Sequence, residues 1–272
     1  MKKMSIIYKI TFSAILIAVA VILSRFLSIP LTYIGIPYLK ISLATGVIMF
    51  ASFYLGPVYG AIVAFGEDLL GSLILQQGGS YNPLYSIAIV LGGITPFFIY
   101  KLVNLIKLEN KFPLTLTIIL TIVSSFITFY CFYPSLGYIK SGSTIYNFDL
   151  WLKILLTCLS WGLSILFLIF VILIKKKWSN LKLNKYYNIY VIATAIFLTY
   201  ALFKVPVSSL VFYFMTKEAG GFSYFLIIFG SRMLTSFLTA FIDLIINAVA
   251  LNVSLRFNYK GSLLKNDLLE EN

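Results

Sequence analysis

The stretch ISLATGVIMFASFYLGPVYGAIVAFGEDLLGSLIL, residues 41–75, decides how the rest of the chain is read. It holds two apolar runs, Ile41 to Leu55 and Val58 to Leu75, parted by Gly56-Pro57. Proline lacks the N–H that continues a helix and disfavours helical backbone at the residue before it, so this step ends one helix and opens another. Glu67 and Asp68 are the only charges in the stretch. A bilayer core is about 30 Å thick, and a helix rising about 1.5 Å per residue crosses it in roughly 20 apolar residues. Helices this apolar are expected in a membrane, where an ionised side chain at mid-depth costs about 2.5–3.5 kcal/mol.

Working outward, the same criterion marks runs at Tyr8–Leu23, Leu84–Ile106, Leu114–Phe132, Leu150–Ile174, Tyr187–Phe214 and Phe225–Leu255. The expected fold class is all-α, a polytopic transmembrane helix bundle of about eight spans, with six as the second choice. Composition agrees: 60% of the residues are hydrophobic and 11% charged, against about 25% charged in soluble domains.

Charge placement sets the expected topology. The run after Lys2, Lys3 and Lys9 ends at Ser24-Arg25-Phe26 without a small-residue cleavage site, and is read as a retained first helix. With both termini cytoplasmic and an even number of spans, most of the 21 Lys and Arg fall on the inner side, including Lys175, Lys176, Lys177, Lys182 and Lys185 between two spans. Such clusters attract anionic membrane lipid. A net charge of +12 arising this way does not call for nucleic acid as a partner. The polar tail, residues 258–272, reads as a short cytoplasmic extension of a multi-pass plasma-membrane protein.

Several chemistries are excluded. No G-x-x-x-x-G-K-[ST] stretch is present, so the chain has no P-loop of its own. It has no His and no G-x-S-x-G elbow, which leaves no catalytic set and no usual metal-ligand cluster. Cys131 and Cys158 both lie in apolar runs, where a cysteine is expected to be a small buried hydrophobe.

Polar residues inside the spans are the informative ones. In the third span Gly60, Ala64, Asp68 and Gly71 share a helix face, so Asp68, beside Glu67, is flanked by small residues that let another helix approach. In the last span Arg232, Ser236, Thr239, Asp243 and Asn247 lie within about 60° on the helix circumference and must face protein or water. Arg232 and Asp243 stand about 16 Å apart along the axis, so each needs its own partner, and Asp68 or Glu67 is a candidate for Arg232. Ala14 and Ala18 form a small-x-x-x-small pair in the first span. The loop Gln76-Gln77-Gly78-Gly79-Ser80-Tyr81-Asn82-Pro83, followed by Tyr85, offers amides, hydroxyls and flat rings. It reads as a binding loop or as a plain hairpin with interfacial tyrosines.

The block from Lys40 to Gly93 resembles the S components of energy-coupling factor (ECF) transporters, the folate-type branch most. It does so through Lys40-Ile41-Ser42-Leu43, Gly56-Pro57-Val58-Tyr59-Gly60-Ala61, Asp68-Leu69-Leu70-Gly71, Gln77-Gly78 and Tyr81-Asn82-Pro83. The resemblance takes in Ala14, Ala18 and Arg25-Phe26-Leu27 in the first span and, more loosely, the last span around Arg232. It implies a subunit that captures a vitamin from outside, needs no cofactor and is not an enzyme, and docks on a transmembrane coupling subunit driven by two ATPases. It further implies that Ala14 and Ala18 form the docking face and that the ligand lies near the outer ends of the helices, under the loops 76–83 and 25–40; Gln77, Gly78, Tyr81, Asn82, Tyr85, Arg25 and Lys40 are expected to contact it, as is Arg232 unless it serves as a structural ion pair. Members of this family usually have six spans, which makes residues 1–106 and 186–257 the core and 107–185 a two-helix insertion. Leu91-Gly92-Gly93 departs from the folate-type pattern, where an Arg often precedes Gly, and leaves the ligand at a vitamin or related nutrient. The alternative is a stand-alone secondary carrier in which Glu67, Asp68 or Asp243 relays protons.

Overall fold

A computed structural model describes residues 5–30, 40–74, 83–105, 115, 117–119, 121–123, 126, 138–141, 144–147, 150–181, 184–215 and 217–256. Helix α1 runs Ile6–Phe26, its N-terminus capped by Ser5, whose hydroxyl accepts the Tyr8 N–H at 3.1 Å. Two residues of β1 (Ile29–Pro30) pair antiparallel with β2 (Lys40–Ile41), and α2 follows at Ala44–Leu55. Gly56 then takes φ 105°, a left-handed conformation that suits only glycine, and its N–H closes the helix on Ser52 O at 3.1 Å. Pro57 opens α3 (Pro57–Ile74), at the one helical position where a missing N–H costs nothing. The Gly-Pro break thus falls where the sequence places it.

Helix α4 spans Pro83–Leu105, and a second short antiparallel pair, β3 (Tyr138–Ser141) and β4 (Thr144–Asn147), precedes α5 (Leu150–Leu181). The two strand pairs are small additions to an otherwise helical protein. The run read as one span from Tyr187 to Phe214 is two helices, α6 (Asn184–Thr199) and α7 (Val205–Met215), joined by a π-turn at Tyr200–Lys204. Pro206 explains the widening, because it has no N–H to return to the carbonyl of Leu202. The last helix, α8, covers Lys217–Arg256.

Among the described residues five segments are long and apolar enough to cross a membrane: Ile6–Phe26, Pro57–Ile74, Pro83–Leu105, Ile189–Phe214 and Ile228–Leu251. Helix α2 is shorter, and at about 1.5 Å per residue its 12 residues reach only about 18 Å. α3 packs against α1, α2 and α4, α6 against α4, α5 and α8, and α8 against α2 and α7. The core between them holds Met49, Phe53, Val63, Tyr100, Ile196 and Phe237, with Phe167 stacked on Phe197 at 4.9 Å between centroids. The outward faces carry large apolar side chains such as Ile7, Leu73, Leu105 and Leu166, as lipid requires. Cys158 lies on such a face and is exposed, contrary to its expected burial, because that side of α5 looks away from the core.

The small-residue face of α3 does what its spacing suggests. Gly60 and Ala64 meet Gly93 of α4, and a methyl group at Gly93 would press on the Gly60 carbonyl oxygen and lie 2.9 Å from Ala64 Cβ. Backbone cannot yield there as a flexible side chain could. Gly93→Ala is expected to cost about 1–3 kcal/mol through overpacking, read as a lower melting temperature in detergent; an unchanged melting temperature would show that α3 and α4 do not cross this closely.

Candidate functional site

The polar stripe of α8 faces inward along its whole length, with Arg232, Ser236, Thr239, Asp243 and Asn247 all buried. Ser236 and Thr239 satisfy their hydroxyls on carbonyls of their own helix. Arg232, Asp243 and Asn247 reach other elements and build two tiers of polar contact.

In the upper tier the Arg232 guanidinium lies between two rings, 5.5 Å from the Tyr85 centroid on α4 and 5.4 Å from Phe212 on α7. Cation–π contact is worth about 2 kcal/mol or more when desolvated, but rings do not accept the in-plane N–H bonds of a guanidinium. Arg232 is 8% exposed and its Nη1 has no hydrogen-bond acceptor among the described residues. Asp68, one of the two candidate partners of Arg232, is not paired with it. Asp68 instead accepts a short hydrogen bond from Ser86 across the α3–α4 contact, where the two helices already touch. Glu67, the other candidate, is buried in α3.

The lower tier gathers three elements, α2, the π-turn and α8. Tyr200 of the π-turn donates to Asp243 Oδ2 at 2.6 Å, and Lys204 donates to Thr45 Oγ1 at 2.8 Å and, more weakly, to Tyr200 Oη at 3.4 Å. Asn247 donates to Gly46 O at 3.1 Å and to Asp243 O at 2.7 Å. Asp243 also stands against the first turn of α2, where a side chain at Gly46 would come 3.0 Å from Asp243 Oδ1. A carboxylate there is favoured by the α2 dipole, and Leu43 supplies no side-chain cap of its own. The short α2 therefore begins inside the bundle, tied to α8 and to the π-turn, with Lys204 and Asp243 joined through a tyrosine hydroxyl.

Other residues singled out in the sequence stand as follows. Gln77, Gly78, Tyr81 and Asn82 lie outside the described residues. Lys40 forms part of β2, and its side chain is likewise outside them. Arg25, at the end of α1, rests its guanidinium on Gly71 of α3, where a Cβ would come 2.6 Å from Nε. Ala14 and Ala18 are exposed on α1 and make no part of the chain's own core. Tyr85 and Arg232 are brought together; Arg25 belongs to the neighbouring α1–α3 contact.

Thr45, Tyr200, Lys204 and Phe212 were not singled out. Lys204 had a usable signal, since it interrupts an apolar run as Glu67 and Asp68 do. Thr45, Tyr200 and Phe212 had none. Among the described residues no three of His, Cys, Asp or Glu gather closely enough to hold a metal ion.

No curated protein sequence and no solved structure matches the chain. A family model does, over residues 4–177, and its description is ECF-type riboflavin transporter, S component. The match supports the S-component resemblance and lends nothing to the folate-type branch. A multi-pass bundle of apolar helices, matched over most of its length, thus belongs to the family of S components of ECF-type riboflavin transporters, the substrate-binding subunits of vitamin transporters.

Proposed function

We propose that this chain captures a flat, vitamin-like molecule such as riboflavin from the outer side of the membrane, in the space framed by Tyr85, Phe212, Arg232 and Lys204. The amino terminus lies in the cytoplasm, so that Arg25, Tyr85 and the loop 76–83 face outward. Gln77, Gly78, Tyr81 and Asn82 of that loop cover the ligand, with Lys40 at its edge. The loaded subunit docks through Ala14 and Ala18 on a transmembrane coupling subunit driven by two ATPases. Residues 107–185 are two helices added to a six-helix core.

Arg232 carries this proposal. A buried guanidinium whose Nη1 has no acceptor is costly in a membrane interior, and a ligand carbonyl or anion supplies what the described residues do not. The flanking rings offer stacking surface to a flat heterocycle. Titrating the purified protein with riboflavin should quench the flavin fluorescence. Arg232→Gln should weaken binding by roughly tenfold to a hundredfold, the equivalent of about 1.5–3 kcal/mol for a hydrogen bond to a charged group. Equal affinity in the variant would remove Arg232 from the site, and absence of binding by the unaltered protein to riboflavin and folate alike would remove the proposal.

A further inference from the structure

Gly92 is buried, yet it is not a close-packing glycine. A Cβ built there would meet one atom within 4 Å among the described residues, Lys204 Cδ at 3.8 Å. Its neighbour Gly93 shows the contrast, since a Cβ there would strike the backbone of Gly60 and the side chain of Ala64. The two glycines are turned about 100° from each other on α4. One lets α3 come close, and the other leaves room among the described residues.

That room lies on a defined line. Tyr85, Ile89 and Gly92 share one face of α4, within about 60° of one another. Arg232 lies over the Tyr85 ring at one end of the line and the Lys204 stem passes Gly92 at the other, about 10 Å along the axis. Tyr85, Ile89, Thr45 and Lys204 are each half-buried, so this face is not sealed by its own side chains. The Lys204 ammonium donates to Thr45 at 2.8 Å and lies over the Tyr200 ring at 4.7 Å from its centroid, while its contact with Tyr200 Oη at 3.4 Å is long.

We propose that Gly92 is a specificity-determining residue: its missing side chain leaves a slot beside Lys204 that takes the leading edge of a flat ligand bearing a hydrogen-bond acceptor. This rests on the proposed site between Tyr85, Phe212, Arg232 and Lys204. The acceptor takes the place of the Tyr200 hydroxyl on the Lys204 ammonium, and residue 92 sets how deeply the ring enters.

The test uses the full chain in detergent with riboflavin as the probe. Gly92→Leu should keep the melting temperature of the ligand-free protein and weaken riboflavin binding by at least about tenfold, with Gly92→Ala in between. A folded Gly92→Leu that binds as well as the unaltered chain overturns the slot and leaves the proposed function standing. Should Gly92→Leu fail to fold, Gly92→Ala decides in the same way. A measurement without ligand separates the two ideas: with Cys131 and Cys158 changed to Ser, Gly92→Cys should react with a small water-soluble methanethiosulfonate at least about tenfold faster than Gly93→Cys. Equal rates overturn the slot whatever riboflavin does. Failure of the unaltered chain to bind riboflavin, with Gly92→Cys still the faster, counts against the proposed function and supports the slot.

Discussion

Asp243→Leu should destabilise the protein by about 1–3 kcal/mol, the usual consequence of leaving a buried donor without its acceptor. Asp243 is fully buried, and its removal takes away the acceptor for Tyr200, the hydroxyl to which Lys204 also donates. It also strips the first turn of α2 of the carboxylate beside Gly46. Lys204→Met alone should cost less, because Lys204 is only half-buried. The informative variant carries both changes. Removing cation and anion together leaves no uncompensated charge, so its loss should fall below that of Asp243→Leu alone. Unfolding in a graded mixture of mild and denaturing detergent measures all three. A double variant as unstable as the two single losses combined would show that Lys204 and Asp243 act independently, and that Tyr200 does not join them.

On the proposed docking through α1, Ala14→Trp or Ala18→Trp should abolish ATP-driven uptake while ligand affinity stays within about twofold. Both alanines sit on an open face of α1, and 22% of that span is buried within the chain. Around them stand exposed Ile7, Ile10, Ile15 and Ile22, which leaves a shallow groove at the small residues where another helix can approach. A tryptophan there holds the partner helix off, at a cost on the order of 2 kcal/mol or about thirtyfold in docking. Nothing in the upper or lower tier touches these positions, so binding has no reason to change. Uptake in vesicles containing the coupling subunit and ATPases, set beside riboflavin titration, separates the outcomes. If binding falls in step with uptake, the alanines serve the fold and the docking face lies elsewhere.

What could be read from the sequence was local or periodic. Gly56-Pro57 stops a helix through its own backbone, with no need of neighbours. The α8 stripe was visible because helical periodicity alone places Arg232, Asp243 and Asn247 on one side, and the structure buries all three. What they touch was not visible. Arg232 meets Tyr85 and Phe212 only because α4, α7 and α8 converge, and Asp68 turns to Ser86 because α3 and α4 cross at glycines. The lower tier needs α2, α8 and the π-turn in place at once, a juxtaposition that no spacing encodes. Reading Tyr187–Phe214 as one span did not anticipate the widened turn ahead of Pro206.

The π-turn between α6 and α7 has a consequence for how this span tolerates change. A turn of this kind is a helix carrying one residue more than its phase allows, and everything beyond it is rotated relative to what came before. The half bearing Tyr190 and Phe197 is thereby set against α5 and α8 independently of the half bearing Phe212, which answers to Arg232. Each half can be tuned by point substitution without disturbing the other. Losing or gaining a single residue between Tyr200 and Lys204 would instead swing Phe212 away from its cation while α6 stayed seated, so the length of this segment is constrained more tightly than its composition.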